Sequence, residues 1–93
     1  MIAMQLGQAA TAMRTTLLGA DAAFAGVSTD TRTLQAGQLF FALRGPHFDA
    51  HDKLDEAAAA GAAGAVVARR QPLALQQIVV TDVRAALGQL AHV

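Results

Sequence analysis

The sequence predicts an α/β fold, a small mixed sheet of about five short strands flanked by helices. Short apolar or β-branched runs alternate with segments of helical periodicity, which implies layers of sheet and helix. The chain has 93 residues, enough for one small domain with one core and too few for two. One run, Leu39 to Leu43, is apolar at every position, as a strand covered on both faces should be.

The elements follow in order. Leu6, Ala9, Ala10 and Met13 recur at helical spacing and predict a helix over residues 4 to 13. Thr15 to Leu18 reads as a strand stopped by Gly19-Ala20-Asp21. Phe24 to Thr29 reads as a second strand, leaving through the polar loop Asp30-Thr31-Arg32. After a turn at Gln35 to Gln38 comes the 39 to 43 strand, broken by Arg44-Gly45-Pro46. Asp52 to Ala63 predicts a helix with Asp52 as N-cap, Asp55 and Glu56 in its first turn, and Gly61 and Gly64 at its end. Ala65 to Ala68 and Gln77 to Thr81 are two further buried strands, joined through Arg69, Arg70 and Pro72. Asp82 caps a last helix with Val83, Leu87 and Leu90 on one face. The pattern is still helical at Val93, as if cut at a domain edge. Residues 1 to 93 therefore read as a single domain of something longer.

Hydrophobic residues make up 54% of the chain, but much of that is alanine, which adds little apolar area. The core is expected to rest on Leu17, Leu18, Phe24, Val27, Leu39, Phe40, Phe41, Val66, Val67, Ile78, Val79 and Val80. Seven basic and seven acidic side chains cancel, which leaves no electrostatic footprint for nucleic acid or an anionic membrane. With no cysteine, disulfides and thiolate metal sites are excluded. No apolar run approaches the ~18 residues of a membrane span, and the N-terminus is not that of a secretory signal. A soluble, cytoplasmic monomer is the expectation.

Polar residues gather in two loops, Ser28 to Arg32 and Arg44 to His51, each following a predicted strand. In α/β sheets ligands collect beyond the carboxyl ends of strands. Arg32 could grip a phosphate, Thr31 could hydrogen-bond, and His47 or Phe48 could stack on a base. On the bare residues the plainer reading, a turn at Asp30-Thr31 and a solvated Arg32, carries more weight. His47, Asp49 and His51 alternate as metal ligands or an acid/base pair could. Pro46 before them, a helix start after them and the lack of a fourth ligand favour a loop with a cap. Gly61-Ala62-Ala63-Gly64 lacks the Lys-Ser/Thr of a phosphate loop and ends a helix instead of starting one. No Gly-x-Ser-x-Gly elbow or cysteine nucleophile is present.

Taken together, Gly19-Ala20-Asp21, Val27-Ser28-Thr29-Asp30-Thr31-Arg32, Ala36 through Gly45, Phe48-Asp49-Ala50-His51-Asp52 and the Ala57 to Val67 stretch resemble the N-terminal domain of Mur ligases. The resemblance covers nearly the whole chain in order and spacing. The Phe-Asp-Ala-His-Asp form favours the branch that adds D-Ala-D-Ala over the sister branch that adds the third peptide residue. It implies recognition of the UDP end of a UDP-N-acetylmuramoyl-peptide substrate. ATP and Mg would bind in further ligase domains outside these residues, so the 93-residue chain alone is expected to be inactive and to hold no cofactor or metal. Thr31 and Arg32 match the loop that approaches uridine and phosphates, and Gly45, Pro46, His47 and Phe48 the loop around the uracil. Asp30 is expected to hold its loop together. Lys53 stands where the family commonly has an aromatic residue, Ala50 replaces the more usual glycine, and Gln38 a common acidic residue. A stand-alone nucleotide-sugar-binding module and a structural domain remain alternatives.

Overall fold

A computed structural model of the chain describes residues 3–44, 49–72 and 75–91. Its elements in chain order are β1 (Ala3–Gln5), α1 (Leu6–Ala12), β2 (Leu17–Leu18), β3 (Ala23–Ala25), β4 (Val27–Ser28), β5 (Leu39–Phe41), a 3-10 turn (Ala50–Lys53), α2 (Leu54–Ala59), β6 (Gly64–Val67), β7 (Gln77–Val79) and α3 (Val83–Ala91). The main sheet has five strands in the order β2-β7-β6-β5-β4. Strands β4 to β7 are parallel neighbours and β2 is antiparallel to β7. This is the expected mixed α/β sheet. A second, two-stranded antiparallel sheet joins β1 to β3.

The core forms on both faces of the main sheet because β5 and β6 are apolar at successive positions and strand side chains alternate sides. Leu39, Phe41, Val66 and Ile78 point to one face, where Leu6, Ala9, Ala10 and Met13 of the α1 region and Val83, Ala86 and Leu90 of α3 cover them. Phe40, Ala65 and Val67 point to the other, against Leu34, Ala50, Leu54 and Ala57. Leu17, Leu18, Val27, Val79 and Val80, expected in the core, are half-buried instead, because short strands near the sheet margins leave one side open. Leu6, Leu54 and Leu90 of the helices and Met13 at the C-cap of α1 take their place as buried residues.

The turn that launches β5 is tied to three neighbours. The Gly37 amide donates to the Gly61 carbonyl at 2.8 Å, the Gly37 carbonyl accepts from Ala25 at 2.9 Å, and the Gln38 carbonyl accepts from Ala63 at 2.8 Å.

Several boundaries differ from the sequence expectation. The predicted 24 to 29 strand is split at Gly26, whose φ of 83 turns the chain out of the small sheet and into the large one. The first helix begins at Leu6, after Met4 and Gln5 have paired with β3. Asp21 accepts hydrogen bonds from the Gly7 and Ala22 amides, both at 2.9 Å, and so supplies a carboxylate to a helix start that has no acidic residue of its own. Of the predicted 15 to 18 strand only Leu17–Leu18 pairs, while the Thr15 hydroxyl donates to the Val79 carbonyl at 2.6 Å.

Asp52 is not an N-cap. The cap is Asp49, which accepts from the His51 amide at 2.9 Å, and a 3-10 turn intervenes before α2. Gly61, at φ 90, ends that helix as expected, but Gly64 lies in β6. Asp82 does cap α3, accepting from the Ala85 amide at 3.1 Å. Lys53 keeps its head in solvent, 3.7 Å from Glu56.

Candidate functional site

The chain leaves β4 and β5 at their carboxyl ends and builds one cleft there. Its volume is about 640 Å³, within the range of small-molecule sites, and Thr29 to Arg32, Phe40, Leu43, Asp49, Ala50, Lys53 and Glu56 line it. Parallel pairing of β4 with β5 is what brings the 29–32 loop beside the chain that follows β5.

The 29–32 loop is held by its own side chains. The Ser28 hydroxyl donates to the Asp30 carbonyl at 3.0 Å and accepts from the Asp30 amide at 3.2 Å. The Asp30 carboxylate accepts from the Arg32 amide at 2.9 Å, and takes the Arg32 guanidinium at both oxygens, the closest contact being 2.8 Å. The side-chain hydrogen bond from Arg32 comes first in lowering the Asp30 carboxyl from 3.8 to about 2, followed by the Arg32 amide. Asp30 thus organises its loop, as expected. Arg32 is 87% exposed and engages Asp30 through Nε and Nη2, which leaves its Nη1 donors turned to solvent.

Thr31 reaches the other wall, its hydroxyl donating to Glu56 Oε2 at 3.0 Å. Glu56 and Phe40 belong to the cleft, and the sequence reading did not include them. No local spacing connects residue 31 with residue 56; only the fold does. Three carboxylates, Asp30, Asp49 and Glu56, face two cations, Arg32 and Lys53. That balance suits a neutral, hydrogen-bonding group, with any phosphate kept to the Arg32 or Lys53 edge.

Of the residues expected to bind ligand, Thr31 and Arg32 line this cleft. Gly45, Pro46, His47 and Phe48 lie outside the described residues. In sequence they join Arg44 to Asp49, which form an isolated antiparallel bridge; of these two, Asp49 lines the cleft. Asp49 and His51 make a fixed pair. His51 is 8% exposed; its Nδ1 lies 2.6 Å from Asp49 Oδ1, and its Nε2 accepts from the Ala68 amide at 3.0 Å. The network assigns the Nδ1–H tautomer. Hydrogen bonding from the His51 amide, against the opposing effect of burial, holds the Asp49 carboxyl below its usual range, with smaller help from the His51 ring and Arg44. Both ring nitrogens are engaged, so His51 ties Asp49 to the Ala68 amide. Among the described residues no three His, Asp or Glu side chains are grouped to hold a metal ion. No helix among them is long and apolar enough to cross a membrane.

Residues 23–93 match the family model described as "Mur ligase family, catalytic domain", and the chain belongs to the Mur ligase family. It is 45% identical over 91 residues to the UDP-N-acetylmuramoyl-tripeptide–D-alanyl-D-alanine ligase of Escherichia coli K12, an alignment covering 98% of this chain and 20% of that protein. A crystal structure of MurF from Acinetobacter baumannii superposes with a TM-score of 0.82 at 33% identity, covering 90% of this chain and 19% of that one. The MurF ligase of Thermotoga maritima in complex with ADP superposes with a TM-score of 0.65 at 28% identity, over 73% of this chain and 16% of that one. The chain thus spans 20% or less of the length of each of these relatives.

Proposed function

We propose that this chain is the substrate-recognising domain of a peptidoglycan-precursor ligase that joins D-Ala-D-Ala to UDP-N-acetylmuramoyl-tripeptide. In this reading its part is to hold the UDP end. Activation of the peptide carboxylate by ATP and Mg falls to other domains of the parent protein. In the same reading the chain alone performs no step of that chemistry, since its sequence carries no phosphate loop.

One observation carries the reading: a cleft of about 640 Å³ beyond the carboxyl ends of parallel strands, with Thr31 and Arg32 in its wall. The cleft is large enough for a nucleoside, and Thr31, anchored on Glu56, presents hydroxyl lone pairs to it. Asp30 orients Arg32 while leaving Nη1 for a phosphate oxygen. Gly45, Pro46, His47 and Phe48 complete the proposed set around the base.

The test is an NMR titration of the chain with UDP and, separately, uridine. Binding is expected in roughly the tens-of-micromolar to millimolar range, since contacts from other domains are missing. Arg32→Ala should weaken UDP more than uridine, and Phe48→Ala should weaken both alike. An Arg32→Ala variant with unchanged UDP affinity, beside a Phe48→Ala variant that only loses stability, would overturn the assignment.

A further inference from the structure

A second cleft opens on the other side of Leu43, and its chemistry is opposite. After β5 the chain turns to the face covered by α2; after β7 it turns to the face covered by α3. The crevice between these departures lies beyond the carboxyl end of the central strand β6, where open α/β sheets bind ligands. It holds about 230 Å³ and is lined by the chain after each of the three strands: Arg44 after β5, Arg69 after β6, and Thr81 to Arg84 after β7, with His51 in its wall.

The chain has no net charge, yet three of its six arginines meet here. Among the described residues none of the three has a carboxylate within 4.0 Å; the ion pairs are made by Arg32, His51 and Lys53. Arg44 does act at longer range on Asp49, which is already committed to His51. The one carboxylate in the lining, Asp82, is turned to the Ala85 amide as the cap of α3. That cap leaves the Val83 and Arg84 amides at the same helix start without an intrachain acceptor among the described residues. Three arginines and a helix start with two free amide donors therefore border a space below the roughly 300 Å³ at which pockets for whole organic ligands begin.

We propose that this crevice is a binding site for a small oxyanion of the phosphate class, distinct from the cleft at Thr31 and Arg32. The arginines supply charge and bidentate donors, and the start of α3 supplies oriented N–H groups. The inference rests on this geometry alone and does not depend on the UDP reading.

The experiment is a titration of the chain with inorganic phosphate at constant ionic strength, followed by amide and arginine Nε–H shifts. Saturable shifts are expected at Arg69, Val83 and Arg84, with little change at Thr31. Arg84→Gln and Arg69→Gln should each weaken phosphate at least about fivefold, the loss of one charge-assisted bond. Arg70→Gln, an adjacent exposed arginine outside the crevice lining, should leave it unchanged. Equal weakening by Arg70→Gln would reduce the effect to general charge and overturn the site. So would saturation mapped only to Thr31 and Arg32, or the absence of saturable shifts. Should Arg84→Gln disturb α3, the wild-type shift map and Arg69→Gln decide.

Discussion

Replacing His51 with alanine tests whether one side chain holds the start of α2 against the end of β6. The ring makes two hydrogen bonds: from Nδ1–H to Asp49 at 2.6 Å, and at Nε2 from the Ala68 amide at 3.0 Å. A bond to a charged acceptor contributes about 1.5–3 kcal/mol, and the low end applies here because the Asp49 side chain is 24% exposed. The second bond adds about 0.5–1.5 kcal/mol, and its loss leaves the Ala68 N–H without its acceptor. The expected cost is about 2–4 kcal/mol, before any packing of the ring. For a chain of this size each kcal/mol lowers Tm by roughly 4–8 °C, so a fall of about 10–25 °C should be seen. Urea unfolding followed by circular dichroism measures the change, with the m-value checked for constancy. Combining His51→Ala with Asp49→Ala should reveal a coupling of at least about 1 kcal/mol, because each removes the same contact. A loss below about 0.5 kcal/mol for His51→Ala, or strict additivity in the double variant, would refute the reasoning.

Three further outcomes are expected. Phe40→Ala empties the centre of the face between the sheet and α2 and should cost about 3–5 kcal/mol in the same unfolding assay, whereas Phe40→Leu should cost far less. Gly61→Ala forces a side chain onto a residue at φ 90 and places its Cβ 3.1 Å from that of Ala36; it should destabilise by about 1–2 kcal/mol, read as a shift of the urea midpoint. The Asp30 carboxyl, followed by its carbon shift, should titrate at about 2, and Arg32→Ala should return it towards 3.8. Because the folded value lies below the unfolded one, the contribution of this pair is full above pH 3.8 and is lost as pH falls towards 2.

Much of this architecture could be read from the chain. The apolar runs at 39–43 and 65–68 announced central strands, and Gly61 and Asp82 announced a helix end and a helix start at the right residues. Gly26 could not be read in the same way. A glycine inside a β-branched run is consistent with one bent strand or with two, and only the partners of Ala23–Ala25 and Val27–Ser28 decide. The cap at Asp49 was obscured because Asp49 and Asp52 both precede the apolar periodicity of α2 and either could cap it. For the site, Asp30 as a loop organiser followed from its place beside Thr31 and Arg32. The pairing of Thr31 with Glu56 spans 25 residues and has no local signature. The arginine crevice has none either, since Arg44, Arg69 and Arg84 come from the ends of three different strands.

The consecutive rings of β5 have a consequence for how the chain finds its register. Phe40 and Phe41 occupy opposite faces, with Leu39 and Ala42 on either side and all four buried. Sliding this strand by one residue would still present a phenylalanine to each core, so burial alone discriminates poorly between the two alignments. The discrimination must reside in the Gly37-Gln38 turn, whose amide and carbonyls are already spoken for by Gly61, Ala25 and Ala63. That turn acts as an index mark for a strand that cannot count its own position. Loosening it should produce slipped, slowly correcting refolding species even where every core residue is kept.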